Sequence, residues 1–166
     1  MNTDIDLKSI FDLFDKKWAL VTAGSDESFN TMTVSWGGLG TLWSKPVATV
    51  YVRPSRYTHE FMDREPLFTV SFFGEQYKKE LALLGRYSGR DCDKVGMTSL
   101  TPQRIHVPQG CAVVFQQAEL TLICRKIYRQ DMDKSLLDPE IASSDYDPEE
   151  PAHTMYVGEV INTVEP

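Results

Sequence analysis

The chain has 166 residues, which is enough for one domain with its own core and short for two. Hydrophobic residues make up 42% of it and charged residues 25%, a composition that excludes a disordered or fibrous chain. The net charge of −7 is uneven: residues 131–166 hold ten acidic residues and one basic residue, whereas residues 1–130 hold fourteen acidic and sixteen basic residues. This distribution excludes the broad basic surface that nucleic-acid binding requires.

The sequence shows neither a membrane-spanning segment nor a signal peptide. No apolar run is long enough to cross a bilayer, and residues 2–4, which follow the initiating methionine, are polar or acidic. Cys92, Cys111 and Cys124 are odd in number and share no short spacing, which argues against a disulfide framework or a zinc site and indicates a reducing cytoplasm. The three histidines are equally scattered, so no metal motif is predicted.

The first third of the chain predicts a helix followed by strands. Apolar residues at helical spacing predict an amphipathic helix over residues 6–18. Residues 18–23 and 29–36 are predicted to be two strands of a hairpin, joined by a short polar turn. The glycines at 37, 38 and 40 do not fit a dinucleotide fingerprint, but they let the chain bend sharply or approach a flat ligand. Residues 47–52 form the next predicted strand.

The rest of the chain alternates short helices with extended segments. The predicted order is a short helix that ends at Pro66, a strand at 67–73, a helix at 75–87, a long extended region at 110–132, a solvated acidic loop at 145–151 and a strand at 155–164. About seven strands with short helices between them, without a regular βαβ alternation, predict an antiparallel barrel that carries helices.

No motif for a nucleophile, a metalloprotease or a nucleotide phosphate loop is present. Cys124 lies among apolar residues of an extended segment and is predicted to be a packed core thiol. His59 is predicted to be structural on its helix, and His106 to lie in a loop without a partner.

The turn between the predicted strand at 47–52 and the following helix is the strongest candidate for an anion site. A strand-to-helix turn directs free backbone N–H groups and the positive end of the helix dipole toward one spot. Arg53 and Arg56 add forked donors that suit phosphate. The alternative is a solvated turn with two surface arginines, and the local sequence leaves both open.

Residues around this turn suit a planar, phosphorylated cofactor. Small and hydroxyl residues stand at strand ends, with aromatic residues beside them and cations at the turns. Taken singly, Trp36 and Phe72 are more typical of core aromatics than of residues that stack on a ring.

Seven blocks of the chain, in order, closely resemble the flavin reductase-like, FMN-binding split-barrel family, and most of all its flavoredoxin-like branch. They are residues 30–40, 43–48, 52–58, 71–73, 88–94, 124–130 and 153–160. The resemblance implies one domain over 1–166, mainly β with helices, folded as a Greek-key split β-barrel. It also implies a homodimer with FMN near the subunit interface.

The resemblance implies a set of cofactor-binding residues. They are Met32, Thr33, Val34 and Ser35 along the ring system, Arg53, Arg56, Tyr57 and Thr58 at the phosphate and ribityl chain, Ser71 and Phe72 beside the flavin, and Ser88, Gly89, Arg90, Asp91 and Lys94 closing the site. His153 matches a histidine near flavin and nicotinamide, and is expected to contact substrate.

Three functions are compatible with this resemblance. The first is an NAD(P)H-dependent flavin reductase, in which reduced nicotinamide passes a hydride to FMN. The second is a flavoredoxin-like electron carrier that is reduced by a protein partner, for which the acidic C-terminal region offers a docking surface. The third is a split barrel that has lost flavin.

Overall fold

The computed structural model describes residues 7–166, so Asp6 of the predicted first helix lies outside the described residues. These residues form four α-helices and nine β-strands. In chain order they are α1 Leu7–Asp15, β1 Ala19–Gly24, β2 Phe29–Val34, β3 Gly37–Leu42, β4 Lys45–Val52, α2 Tyr57–Arg64, β5 Leu67–Phe72, α3 Lys78–Arg86, β6 Pro102–Val107, β7 Gly110–Phe115, β8 Leu120–Asp131, α4 Pro139–Asp145 and β9 Thr154–Val164.

Seven of the strands form one antiparallel sheet in the order β2-β1-β5-β8-β9-β4-β3. The first two strands form the predicted hairpin, with Ala19 opposite Val34. Strands β6 and β7 form a separate hairpin. It is attached to the sheet by a hydrogen bond of 2.7 Å that the Thr69 hydroxyl on β5 donates to the Val113 carbonyl on β7. The prediction of a mainly antiparallel β fold with helices is confirmed. Within residues 7–166 the sheet is open, because its two edge strands, β2 and β3, do not pair with each other.

The main core lies on one face of this sheet and needs a glycine in its centre. Gly158 on β9 faces Phe68 and Cys124, and a Cβ atom there would lie 2.5 Å from the Phe68 ring and 2.6 Å from the Cys124 Cβ. Cys124 is fully buried, and burial raises the pKa of its thiol to about 12. The prediction of a packed core thiol is therefore confirmed.

Two predicted segments differ from the structure. Residues 37–42, whose glycines at 37, 38 and 40 suggested a sharp bend or close approach to a flat ligand, form the edge strand β3, in which each residue lies opposite one of β4. Residues 110–132 are not one extended region, since a turn at residues 116–119 divides them into β7 and β8. Alternating apolar residues on both sides of a short turn give the same pattern as one long strand, which explains this error.

The first helix ends at Asp15, three residues before the predicted end. Trp18 has a φ of 68°, a left-handed conformation that a continuing helix does not permit. The amides of Lys16 and Lys17 both donate to the Asp12 carbonyl and close the last turn. Helical spacing of the apolar residues does not reveal this backbone change.

The predictions for His106 and for the acidic segment were wrong in part. His106 lies on β6 and not in a loop, and its Nε2 is 2.8 Å from the Asp26 carboxylate. The segment 145–151 is exposed at residues 147–151, but Asp145 ends α4 and Tyr146 is buried. Tyr146, the one aromatic residue of this segment, holds it against the protein by its burial, which a count of charges does not predict.

The sheet register fixes where the functional residues meet. Strand β4 pairs with β9 so that Val52 lies opposite Thr154, which brings Arg53 and His153, the next residue outward on each strand, to the same end of the sheet. The chain then turns into α2 at Tyr57. Among residues 7–166, no helix combines the length and the apolar composition that crossing a bilayer takes.

Candidate functional site

Three adjoining cavities form a groove at this end of the sheet. The first, which we call the central cavity, has a volume of about 170 Å³ and is lined by Met32, Thr33, Val34, Ser35, Trp36, Tyr51, Arg53, Arg56 and His153. The cationic cavity, of about 210 Å³, is lined by Asn30, Ser55, Arg56, Tyr57, Thr58, Arg86, Tyr87, Ser88, Gly89 and Lys94. The apolar cavity, of about 360 Å³, is lined by Trp36, Tyr51, Met132, Leu137, Ile141, Asp145, Tyr146 and His153.

Shared residues join the cavities. Arg56 lines both the central and the cationic cavity. Trp36, Tyr51 and His153 line both the central and the apolar cavity. The groove therefore runs from a cationic end, through a middle formed by one strand, to an apolar end.

The middle of the groove is formed by β2 and the residues after it. Because β2 ends the sheet, one side of its backbone has no strand partner and is available to a flat ligand. The Thr33 hydroxyl donates to the Leu81 carbonyl at 2.5 Å and so ties β2 to α3. Trp36 is 44% exposed, which shows that it is no core aromatic, whereas Phe72 is buried with its ring centroid 5.4 Å from that of Phe14.

The cationic cavity lies at the N-terminus of α2. None of the side chains that the structure describes caps this terminus, and its first backbone hydrogen bond is donated by His59 to the Arg56 carbonyl at 3.0 Å. The N–H groups of the first turn and the helix dipole therefore favour an anion there. Asn30 donates to the Thr58 hydroxyl at 2.8 Å, which holds the helix terminus against β2.

Arg56 and Lys94 supply the charge of this cavity. The Arg56 Nη2 donates to the Gly85 carbonyl at 2.9 Å, and the Lys94 Nζ donates to the carbonyls of Leu84 and Tyr87 at 2.9 and 3.0 Å. Within residues 7–166 neither cation forms an ion pair with a carboxylate. The carbonyls at the end of α3 offset part of their charge, since that end of a helix is negative.

The pKa values of both cations reflect this environment. Burial, and next the positive charge of Arg56, lower the pKa of Lys94 to about 8. Burial, and next the charge of Arg53, lower the pKa of Arg56. An anion between them would relieve the repulsion, so the donor set fits a phosphate group.

The turn that contains Gly89 closes the cavity on the side facing α2. A Cβ atom on Gly89 would lie 2.1 Å from the Asn30 Oδ1 and 3.3 Å from the Tyr57 ring. Only glycine permits this turn to approach β2 and α2 so closely. The backbone and hydroxyl of Ser88, beside it, line the same cavity.

Arg53, predicted at the phosphate and ribityl chain, has two polar contacts of its own with the C-terminal region. It lines the central cavity, but its Nη1 is paired with the Glu150 carboxylate at 2.8 Å and its Nη2 donates to the Asp145 carbonyl at 2.8 Å. Its guanidinium also lies over the Tyr146 ring, 5.2 Å from the centroid. Arg53 therefore holds the acidic segment against the site.

His153 lies between the central and apolar cavities and is 6% exposed. Its Nδ1 is 2.6 Å from the Tyr146 hydroxyl, and its ring centroid is 5.2 Å from that of Trp36. Burial, and next the charge of Arg53, lower its pKa to about 4. The imidazole is therefore neutral at pH 7, and when Tyr146 donates to Nδ1 the ring proton resides on Nε2.

Four other predicted residues do not line the groove. Ser71 is fully buried, with its hydroxyl 2.9 Å from that of Thr121, and Phe72 packs in the core. Arg90 pairs with Glu60, donates to the Ser55 carbonyl at 3.2 Å and lies over the Tyr57 ring, 4.9 Å from its centroid, and Asp91 is exposed. Contact of these four residues with a cofactor remains a prediction from the resemblance alone.

The sequence interpretation missed several lining residues. Asn30 and Tyr51 carry no local motif, and Arg86 and Tyr87 lie at the end of a helix. The wall of the apolar cavity comes from Met132, Leu137, Ile141 and Tyr146. The isolated apolar residues within the acidic run are the one signal that points to this wall.

Comparisons with known proteins agree on one family. A family model described as a flavin reductase like domain matches residues 11–166. A flavoredoxin from Methanosarcina acetivorans has a TM-score of 0.70 and 21% identity, covering 90% of this chain and 68% of that chain. The FMN-binding domain of a flavin reductases-like enzyme from Shewanella baltica OS155 has a TM-score of 0.65 and 18% identity, covering 96% and 74%.

A third solved structure is the NADH:FAD oxidoreductase SgcE6 from Streptomyces globisporus C-1027, in complex with NAD and FAD fragments. It has a TM-score of 0.64 and 19% identity, covering 96% of this chain and 81% of that chain. At these identities the solved structures establish the shared fold, and they confirm the predicted split-barrel class. No curated protein matches the sequence significantly.

The low pKa of His153 makes the stability of the fold depend on pH. The unfolded chain binds a proton at this histidine near its ordinary pKa of 6.5, whereas the folded protein binds it near 4. Stability from this group is therefore complete above pH 6.5 and is lost as the pH falls toward 4. His153→Gln should therefore lose about 1–3 kcal/mol less stability than the parent when the pH is lowered from 7 to 4. Urea unfolding of the parent and of His153→Gln at neutral and acidic pH measures this difference in free energy. A loss of stability on acidification that is equally steep in His153→Gln contradicts the low pKa assigned to His153.

Proposed function

The chain belongs to the flavin reductase-like family, and on that premise we propose that it is an FMN-dependent oxidoreductase whose flavin accepts a hydride from NADH or NADPH. One observation supports this proposal above all others. Arg56 and Lys94 are two partly buried cations without a carboxylate partner in residues 7–166, at an uncapped helix terminus beside a groove that suits a planar ring.

The cationic cavity would hold the FMN phosphate. A phosphate carries close to two negative charges at pH 7, and this cavity offers two cations, the first turn of α2 and the Ser88 hydroxyl. Arg90 is already paired with Glu60 and Arg53 with Glu150, so neither is needed for the phosphate. This division departs from the sequence interpretation, which grouped all four cations.

The central cavity would hold the ring system of the flavin, which supplies the hydride-accepting chemistry when bound. The protein contributes position and environment. Met32 and Val34 give the groove an apolar floor, and the free edge of β2 offers backbone groups to the ring. The charge of Arg56 lies between this cavity and the phosphate site and orients the cofactor along the groove.

The apolar cavity would take the nicotinamide ring of the reductant. It adjoins the central cavity through Trp36, Tyr51 and His153, so two rings in these cavities would be neighbours. Its apolar lining excludes water from the path of the hydride. His153 is neutral and adds no positive charge that would oppose the positive charge developing on the nicotinamide.

The second candidate function is a flavoredoxin-like electron carrier that a protein partner reduces. It is favoured by the exposed acidic residues Asp147, Glu149 and Glu150 next to the groove, a position where a basic partner would bring its own redox centre close to the flavin. Reduction by such a partner that is faster than reduction by any nicotinamide would favour this function over the first.

A homodimer would complete the site from the side of β3. Large apolar residues are exposed on or beside this edge strand, and a second copy would cover them. They are Trp36, Leu39, Leu42, Trp43 and Tyr128. Since Trp36 also lines the groove, a partner on this face would lie against the flavin.

The three cysteines are free, which suits work in the reducing cytoplasm.

The phosphate assignment predicts a difference between two arginines. Arg56→Ala should weaken FMN binding by about 1.5–3 kcal/mol, the contribution of a charge-assisted hydrogen bond. Arg90→Ala is the matched control, because it removes the same charge from a side chain that is paired with Glu60 and does not line the cavity, so it should leave the affinity nearly unchanged. Fluorescence titration of both variants with FMN measures this. Equal losses, or a larger loss in Arg90→Ala, contradict the assignment.

The nicotinamide assignment predicts a second difference. Ile141→Lys places a charge in the wall of the apolar cavity, whereas Leu136→Lys places one on a side chain that is 83% exposed and lines no described cavity. Anaerobic bleaching of the flavin by NADH or NADPH should be slowed at least about tenfold by Ile141→Lys, with FMN affinity retained. Leu136→Lys should react like the parent. A parent chain whose bound flavin is not bleached refutes the reductase function.

The dimer assignment is tested on β3. Leu39→Lys puts a charge into the exposed apolar surface and should weaken the dimer at least about tenfold, whereas Leu136→Lys should not. Analytical ultracentrifugation over a range of concentrations gives the dissociation constants. A parent chain that sediments as a monomer, with or without FMN, contradicts the dimer.

A further inference from the structure

A second site of a different kind lies at the far end of α2 from the phosphate cavity. The side chains of Asp26, His106 and Cys111 place a carboxylate oxygen, an imidazole nitrogen and a sulfur within 4.8 Å of one another. None of the three residues lines the central, cationic or apolar cavity. The flavin site therefore does not account for this cluster.

The backbone brings these residues together without a metal. His106 on β6 lies directly opposite Cys111 on β7, so the hairpin register places their side chains on the same face. Asp26 comes from the turn between β1 and β2. That turn is held against the hairpin by Arg104, whose Nε donates to the Ser25 carbonyl at 3.2 Å. The cluster therefore joins two separate hairpins.

The donor set is specific for a class of metal. One imidazole, one thiol and one carboxylate are ligands that zinc accepts in tetrahedral geometry, and three protein ligands leave the fourth position for water. The Nε2 of His106 faces both oxygens of Asp26, at hydrogen-bonding distances of 2.8 and 3.0 Å, so a small separation of the two side chains would admit an ion between them. Cys111 is free and half-buried.

Solvent space and charged residues lie beside the cluster. A cavity of about 550 Å³ beside Asp26 is lined by Ser25, Asp26, Glu27, Ser28, Arg64 and Glu65. The positive charge of Arg104 acts on both Asp26 and Cys111 and opposes a cation. The charge of Arg64 is already paired with Glu65 at 2.9 Å, and Glu27 adds a further negative charge.

We propose that Asp26, His106 and Cys111 bind a single zinc ion, which links the β1–β2 turn to the β6–β7 hairpin. On binding, the sulfur of Cys111 forms a bond to zinc and its proton passes to water. The Nε2 of His106 gives up the proton that it donates to Asp26, and the neutral ring keeps its proton on Nδ1. The hydrogen bond between the two side chains is thereby exchanged for one bond from each to the ion. The site is separate from the flavin groove and stabilises the fold, because metal that binds only the folded chain shifts the equilibrium toward it.

The test is calorimetric titration of zinc into the full-length, metal-stripped chain and its variants. The parent should bind one zinc per chain, and Cys111→Ser and His106→Gln should each weaken binding at least about tenfold. Cys92→Ser is the matched control, since Cys92 is also a free, half-buried cysteine but lies beside the cationic cavity. It should bind zinc like the parent.

Two further measurements separate this site from nonspecific binding. Zinc should slow the alkylation of Cys111, followed by mass spectrometry of its peptide, and leave that of Cys92 unchanged. It should also raise the unfolding temperature of the parent but not of Cys111→Ser. Absence of zinc binding to the parent, or binding as tight in Cys111→Ser and His106→Gln as in the parent, overturns the proposal.

Discussion

Two positive charges that have no carboxylate partner among residues 7–166 are the feature on which the groove depends. Arg56 and Lys94 lie side by side, Lys94 is only 3% exposed, and the pKa values of both are lowered by burial and by neighbouring positive charge. Holding such a pair together costs free energy, which the carbonyls at the end of α3 offset only in part. An anion with two charges completes the arrangement.

The surrounding structure holds these cations in place. Lys94 and Arg56 each donate a hydrogen bond to a backbone carbonyl of α3. Thr33 connects β2 to α3 by a hydrogen bond, and Asn30 connects β2 to α2 in the same way. Each contact is a hydrogen bond between a buried or half-buried donor and a fixed acceptor, so the site is rigid before a ligand binds. Preorganisation of this kind lowers the cost of binding a charged cofactor.

The acidic C-terminal region belongs to the site as well as to the surface. Arg53 pairs with Glu150 and covers Tyr146, and Tyr146 in turn contacts His153. Helix α4 thereby becomes one wall of the apolar cavity. The negative charge that follows is directed to solvent next to the groove, where it is available to a partner. Arg53 therefore connects the central cavity with the acidic C-terminal region, which the electron-carrier function would use to dock a protein partner.

The sequence predicted more of the fold than of the site. Strong alternation located β1, β2, β4, β5 and β9, and the ordered blocks identified the family. Glycine-rich β3 escaped because its pairing with β4 compensates for poor strand propensity. In the site, the residue types at the β4–α2 turn indicated phosphate. Charges alone could not tell Arg53 and Arg90, which have carboxylate partners, from Arg56 and Lys94, which have none in the described part of the chain.

The apolar cavity and the Asp26, His106 and Cys111 cluster escaped for a related reason. Each combines residues from separate stretches of the sequence, which meet only through the register of strands and hairpins. Scattered histidines and cysteines carry no spacing signal, although the fold assembles one histidine and one cysteine with Asp26. Long-range pairing is the information that a single sequence does not display.

The central claim is that Arg56 and Lys94 form a phosphate site, and the most direct measurement compares two flavins that differ only in that phosphate. The dissociation constants of FMN and riboflavin for the full-length chain should differ by about 100-fold or more in favour of FMN, close to 3 kcal/mol. Equal affinity for the two flavins, or no binding of either, would contradict the account.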